Sequence, residues 1–191
     1  IDYFVEYAGC DVNGNQVGPM KGGVCLFAAG NGDKNGIGMA YGAPAIYDKA
    51  VAVAALGPDY TVAAYSNYGP WVDIIAPGGA DSNTAQDLVL STIPGNDYAF
   101  MAGTSMATPH VSGVAALLLS YFGGPGFTNE DLVSKLLWGA KYDVVKSGDK
   151  YVGGMLDALG SFQFNDTALP TITTDYDGGF IFKSHEKVVI T

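Results

Sequence analysis

The stretch that decides the reading of this chain is Ala102-Gly103-Thr104-Ser105-Met106-Ala107-Thr108-Pro109-His110-Val111-Ser112-Gly113. It follows Tyr98-Ala99-Phe100-Met101, which reads as a strand, and opens a long apolar run to about Tyr121 that ends at Gly123-Gly124-Pro125-Gly126. A serine is therefore expected at a strand-to-helix junction. Unpaired N–H groups and a partial positive charge at a helix start steady negative charge developing nearby. Gly103 lets the chain turn sharply just before the serine. Taken alone, a serine at a helix start is more often an N-cap than a nucleophile; the length of the string decides between the two.

Outward from it, Leu88–Ile93 and Tyr98–Met101 flank the turn formers Pro94-Gly95-Asn96-Asp97 and predict a hairpin. Further upstream, Gly23–Ala28, Ala50–Leu56 and Val72–Ala76 are short apolar runs, two of them closed by Gly or Pro. They read as strands covered on both faces in an α/β domain with a mostly parallel sheet flanked by helices. Ile1–Ala8 reads as part of an amphipathic helix, and the apolar run after Met106 as a helix buried on nearly every side. Thr128 followed by Asp131 predicts a capping box opening a helix with Leu132, Leu136 and Leu137 inward. After Tyr151–Leu159 the texture turns β-rich, with Thr171–Thr174 and Phe180–Phe182. Two units are expected, residues 1–163 and 164–191, the second opening a β module or linker.

The chain has 191 residues, 48% hydrophobic and 15% charged, enough to bury a core. A net charge of −10 has the wrong sign for gripping phosphate backbones and excludes nucleic acid as a natural partner. No apolar stretch approaches the ~20 residues of a membrane span. Cys10 and Cys25 allow one bridge or two free thiols, and both stay open. Asn31-Gly32-Asp33-Lys34-Asn35-Gly36 imitates the start of an EF-hand loop but puts Gly42 where the bidentate Glu should stand, so a plain turn is expected. Asn165-Asp166-Thr167 is the one glycosylation sequon.

Gly103 to Gly113 resembles the nucleophile motif of the subtilisin-like serine proteases, G-T-S-M-A-x-P-H-V-x-G, without a gap. Phe27-Ala28-Ala29-Gly30-Asn31 resembles the strand end that carries that family's oxyanion-hole asparagine. Ala43–Tyr47 is similar to a family segment with a cis-proline, Tyr65-Ser66-Asn67-Tyr68-Gly69 to its F-S-N-x-G, Ala76-Pro77-Gly78 to its A-P-G, and Gly153–Ala158 to the motif before its closing helix. The resemblance covers about residues 1–163 and implies a subtilisin-like fold incomplete on its N-terminal side. It assigns Ser105 as nucleophile and Asn31 as oxyanion donor in a serine endopeptidase acting on peptides or proteins. It also implies a missing N-terminal half of the catalytic domain, and a secreted, periplasmic or cell-surface protein. The chemistry needs no cofactor; structural calcium is permitted, with no ligand set to assign.

Serine is a poor nucleophile until a base takes its proton, and the family's aspartate and histidine precede the serine in chain order. No D-T-G, D-S-G or H-G-T-H string occurs, and the two histidines are His110 and His185. Five residues past Ser105 on one helix, His110 is turned about 140° away and displaced by about 7.5 Å, which gives it a structural role. His185 stands beside Lys183, Glu186 and Lys187 and reads as a solvated surface residue. This chain alone is therefore expected to be inactive and to expose apolar surface that favours self-association. Two rivals stand beside the protease: a non-catalytic binding module of the same fold, and an α/β-hydrolase triad of Ser105, Asp157 and His185, in which Ala107 breaks the nucleophile-elbow pattern.

Overall fold

The computed structural model describes residues 1–32, 44–82 and 84–165. The β-rich pieces expected at Thr171–Thr174 and Phe180–Phe182, His185, most of the EF-hand-like loop, Ala43, and Asp166 and Thr167 of the sequon lie outside those residues.

Three strands build the centre. β1 (Cys25–Ala28), β2 (Ala50–Leu56) and β3 (Ile74–Pro77) run parallel, and the short β6 (Gly154–Met155) completes the order β1-β2-β3-β6. All seven residues of β2 are buried, as its unbroken apolar run requires of a strand packed on both faces. β3 starts two residues later than Val72 because Asp73 interposes a carboxylate. Its Oδ2 accepts the Ala52 N–H at 2.7 Å, and its own N–H donates to the Ala52 carbonyl at 3.1 Å.

The hairpin forms as read, β4 (Val89–Ile93) pairing antiparallel with β5 (Asp97–Met101). Its connection places Gly95 and Asn96 at φ of 95° and 60°, a region open to glycine and tolerated by asparagine. β5 delivers the chain to α2 (Thr104–Phe122), which lies across β1, β2 and β3. One stripe of α2, Ala107, Val111, Ala115 and Leu118, is buried against Val51, Val53, Ala55, Ile74 and Ala76. The expectation that α2 is buried on nearly every side is corrected: Ser112, Gly113, Ala116, Leu117 and Tyr121 are exposed. Small side chains fit either environment, so they conceal which face looks outward.

α3 (Asn129–Trp138) and α4 (Ala158–Gln163) close the same layer, with Leu132, Leu136 and Leu137 inward as expected. The second face of the sheet is covered by Val62, Val72 and Val152, with Tyr68 and Trp71 packed against them. The capping box is complete: Thr128 Oγ1 accepts the Asp131 N–H at 3.1 Å, and Asp131 Oδ2 accepts the Thr128 N–H at 2.9 Å. Thr128→Ala is expected to lower stability by about 1 kcal/mol in a urea titration. An unchanged midpoint would show that the box contributes nothing.

The opening segment is helical as read, α1 (Asp2–Tyr7), but it buries no residue: Tyr3 is exposed, and the half-exposed ring of Phe4 lies over Gly23. Cys10 and Cys25 are free thiols. No helix among the described residues is long and apolar enough to cross a membrane.

Candidate active site

β1 and α2 meet at the carboxyl edge of the parallel sheet, the edge where such sheets hold their sites. β1 ends at Ala28, and Ala29-Gly30-Asn31 continues outward. α2 begins at Thr104, its start fixed to the sheet through Gly103, whose N–H donates to the Gly78 carbonyl at 2.9 Å. That carbonyl also accepts the Tyr65 hydroxyl at 2.8 Å, which reaches the Gly79 carbonyl at 2.7 Å as well. Burial pushes the Tyr65 phenol up to about 12, which favours the protonated hydroxyl as the donor of these bonds.

Ser105 is not the N-cap; that position is Gly103, and Ser105 is the second residue of the helix with an exposed side chain. The first turn's orphan donors can be accounted for one by one. The Thr104 N–H donates to Asn31 Oδ1 at 3.0 Å, while the Met106 and Ala107 N–H groups both reach the Gly103 carbonyl, at 2.9 and 3.2 Å. The Ser105 N–H alone meets no acceptor among the described residues.

Asn31 supplies a second donor, Nδ2, that meets no acceptor among the described residues. Its Oδ1 accepts twice from Thr104, from the N–H at 3.0 Å and from Oγ1 at 2.9 Å, which fixes which end of the amide is oxygen. Its Nδ2 is left facing the helix start. A Cβ added at Gly103 would stand 3.2 Å from Asn31 Nδ2 and 3.7 Å from the Ser105 nitrogen. Glycine therefore leaves a space, bordered by both open donors, that any side chain would fill. A small oxygen anion suits such a space chemically, because two N–H donors and a helix start border it.

Thr104, 1% exposed, is an anchor that the sequence pattern does not single out. Besides holding Asn31, its Oγ1 accepts the Gly30 N–H at 3.1 Å. The one available signal is a polar residue between Gly103 and Ser105 at a helix start that must pack on the sheet. Asn31 and Ser105, expected from opposite ends of the domain, are brought to one place by these bonds.

His110, expected to be structural, points into its own helix rather than toward Ser105. It is exposed, and its Nδ1 lies 2.9 Å from the Met106 carbonyl one turn back, on the helix face away from the serine hydroxyl. Asp157 is committed elsewhere: it caps α4 by accepting the Leu159 N–H at 3.0 Å and pairs with Lys141 Nζ at 2.8 Å. The lysine beside it holds its carboxyl below the usual carboxylate range. The α/β-hydrolase triad thus loses its acid to a capping role, and its histidine, His185, lies outside the described residues. Among the described residues no group of three or more His, Cys, Asp or Glu side chains could hold a metal ion.

The family model described as Subtilase family matches residues 9–165. Thermophilic serine proteinase of Bacillus sp. (strain AK1) is 50% identical over 100 residues, 52% of this chain and 22% of that protein. Halolysin-like extracellular serine protease Nep of Natrialba magadii is 36% identical over 154 residues, 81% of this chain and 24% of that protein. The crystal structure of a cold adapted subtilisin-like serine proteinase superposes with a TM-score of 0.56 at 30% identity, over 69% of this chain and 43% of that one. This chain thus spans about a quarter of these curated relatives' length and less than half of the solved structure's. The family model covers more than half of the chain, and the chain belongs to the subtilase family, as a region with a subtilisin-like α/β fold.

Proposed function

We propose that this chain supplies the nucleophile and the oxyanion donors of a serine endopeptidase. Ser105 Oγ attacks the scissile carbonyl carbon, and its proton passes to an imidazole base. The carbonyl oxygen becomes an oxyanion held by Asn31 Nδ2 and the Ser105 N–H. Collapse of the intermediate breaks the C–N bond, the base returns its proton to the leaving amine, and water then hydrolyses the acyl-enzyme. The observation that supports this reading is a pair of donors without acceptors among the described residues, Asn31 Nδ2 and the N–H of the exposed Ser105, bordering a space that glycine at position 103 leaves free.

The base and its carboxylate partner are proposed to lie outside this chain, since His110 is engaged with its own helix. The substrates proposed are peptides and proteins. An extracellular location is proposed from the halolysin-like extracellular relative; recovery of the protein only in the cell pellet, never in the medium, would overturn it.

The 191-residue chain by itself is expected to leave a casein or peptide-anilide substrate intact, while the full-length protein that carries it hydrolyses both. Serine-dependent hydrolysis by the isolated chain would contradict the assignment of the base. A folded full-length protein without hydrolytic activity would favour the non-catalytic binding module instead.

A further inference from the structure

We propose that Asn67 is a positioning residue for the oxyanion donor Asn31, acting through the peptide units of Ala29 and Gly30. The inference rests on the serine-protease reading above. Asn67 is 5% exposed. Its Nδ2 donates to the Ala29 carbonyl at 2.9 Å, and its backbone N–H donates to the Gly30 carbonyl at 2.9 Å. One residue therefore holds both carbonyls that immediately precede Asn31.

Gly30 is built to admit that grip. It sits at φ of 96°, and a Cβ there would stand 2.7 Å from Asn67 Nδ2, inside contact distance. On its other side the Gly30 N–H donates to Thr104 Oγ1 at 3.1 Å, and the same hydroxyl donates to Asn31 Oδ1 at 2.9 Å. The Gly30 residue is thus fastened by its N–H to the helix start and by its C=O to Asn67. The segment carrying Asn67 is itself anchored: Ser66 bridges to Asn31 and its Oγ accepts the Ala55 N–H of β2 at 2.9 Å.

The Asn67 side chain is also an expensive choice for stability alone. Its Oδ1 is buried and meets no donor among the described residues, and an unmet buried polar atom disfavours folding. What the amide supplies in return is the orientation of Ala29-Gly30. An oxyanion donor works only within about 2.7–3.1 Å of the oxygen it stabilises. A displacement of ~1 Å at a reacting centre can cost ~10²-fold in rate. Freeing the Ala29 carbonyl lets the following peptides turn and swings Asn31 Nδ2 off its target.

The test is a double-mutant cycle in the full-length protein, reading kcat and KM on a peptide anilide with concentrations set by active-site titration. Asn67→Ala is expected to lower kcat ~10- to 10²-fold with KM changed by less than about threefold. In the Asn31→Ala background the same substitution is expected to cost less than about threefold, because no donor is left to misplace. Asn67→Leu, of similar size but without the donor, is expected to match Asn67→Ala, and it carries the test if the alanine variant fails to fold. Equal fractional losses in both backgrounds, or an unchanged kcat in either folded variant, overturn the proposal. Hydrolysis undiminished by Ser105→Ala overturns the protease reading and this proposal with it. A Ser105-dependent enzyme indifferent to Asn67 overturns this proposal alone.

Discussion

Ser105→Ala in the full-length protein is expected to lower kcat on a peptide substrate by about 10⁶-fold, with KM nearly unchanged. That magnitude is the one known for subtilisin itself, and it is the size expected here if Ser105 is the nucleophile. Geometry singles out the residue. Ser105 occupies the second position of α2 with its side chain exposed, so its hydroxyl is not spent on capping the helix, and the N-cap is a glycine without a side chain. Its N–H is the one donor of the first turn that meets no acceptor among the described residues. Removing Oγ deletes the nucleophile while leaving every bond of Thr104, Gly103 and Asn31 in place, so stability should hold within about 0.5 kcal/mol, as for ordinary surface changes. Residual hydrolysis above about one part in a hundred, with the variant folded, would show that another group attacks the carbonyl.

The second large effect is expected at Asn31. Loss of the corresponding asparagine in subtilisin costs ~10²–10³ in kcat, and Asn31→Ala should fall in that range if its amide binds the oxyanion. The structure adds a sharper variant. In Asn31→Asp one carboxylate oxygen can keep both bonds from Thr104, the N–H at 3.0 Å and Oγ1 at 2.9 Å, while the other replaces the donor Nδ2 by a negative charge. Asn31→Asp is therefore expected to fold as well as the wild type, yet to lose at least as much kcat as Asn31→Ala when the carboxylate is ionised. Lowering the pH toward the carboxylate range should reduce that repulsion, so the ratio of the two variants' rates measured across pH checks the sign. An Asn31→Asp enzyme faster than Asn31→Ala at neutral pH would place the oxyanion elsewhere.

How far the sequence foretells this arrangement depends on the reach of each interaction. The strand β2 is legible because seven consecutive apolar residues have no polar face to show. The hairpin is legible from Pro94-Gly95-Asn96, and the α3 start from the Thr128 and Asp131 pair, whose bonds span three residues. The exposed face of α2 is not, since its serine, glycine and alanine carry little preference for inside or outside and its Leu117 and Tyr121 read as core residues although they are exposed. β6, two residues long, has no periodicity to read. Asp73 delays the start of β3 within a run that looks like uninterrupted strand, because its carboxylate reaches Ala52, 21 residues away.

The site divides in the same way. Ser105 and Asn31 stand in local strings that resemble a family's motifs, and those strings say nothing of how the two are joined. The joining bonds cross 73 residues from Thr104 to Asn31 and 38 from Asn67 to Ala29, distances over which no pattern in the chain announces a contact. Gly103 reads in the sequence as a sharp turn. Its larger consequence, the space beside two open donors, emerges only once Asn31 is folded against it.

The most direct test of the central claim is to treat the folded full-length protein with a fluorophosphonate, digest it, and locate the adduct by mass spectrometry, with Ser105→Ala as control. An activated serine beside an oxyanion hole predicts a single adduct on the peptide containing Gly103-Thr104-Ser105, absent from the control. No adduct on folded protein, or one that persists in Ser105→Ala, would contradict the assignment of Ser105 as the nucleophile.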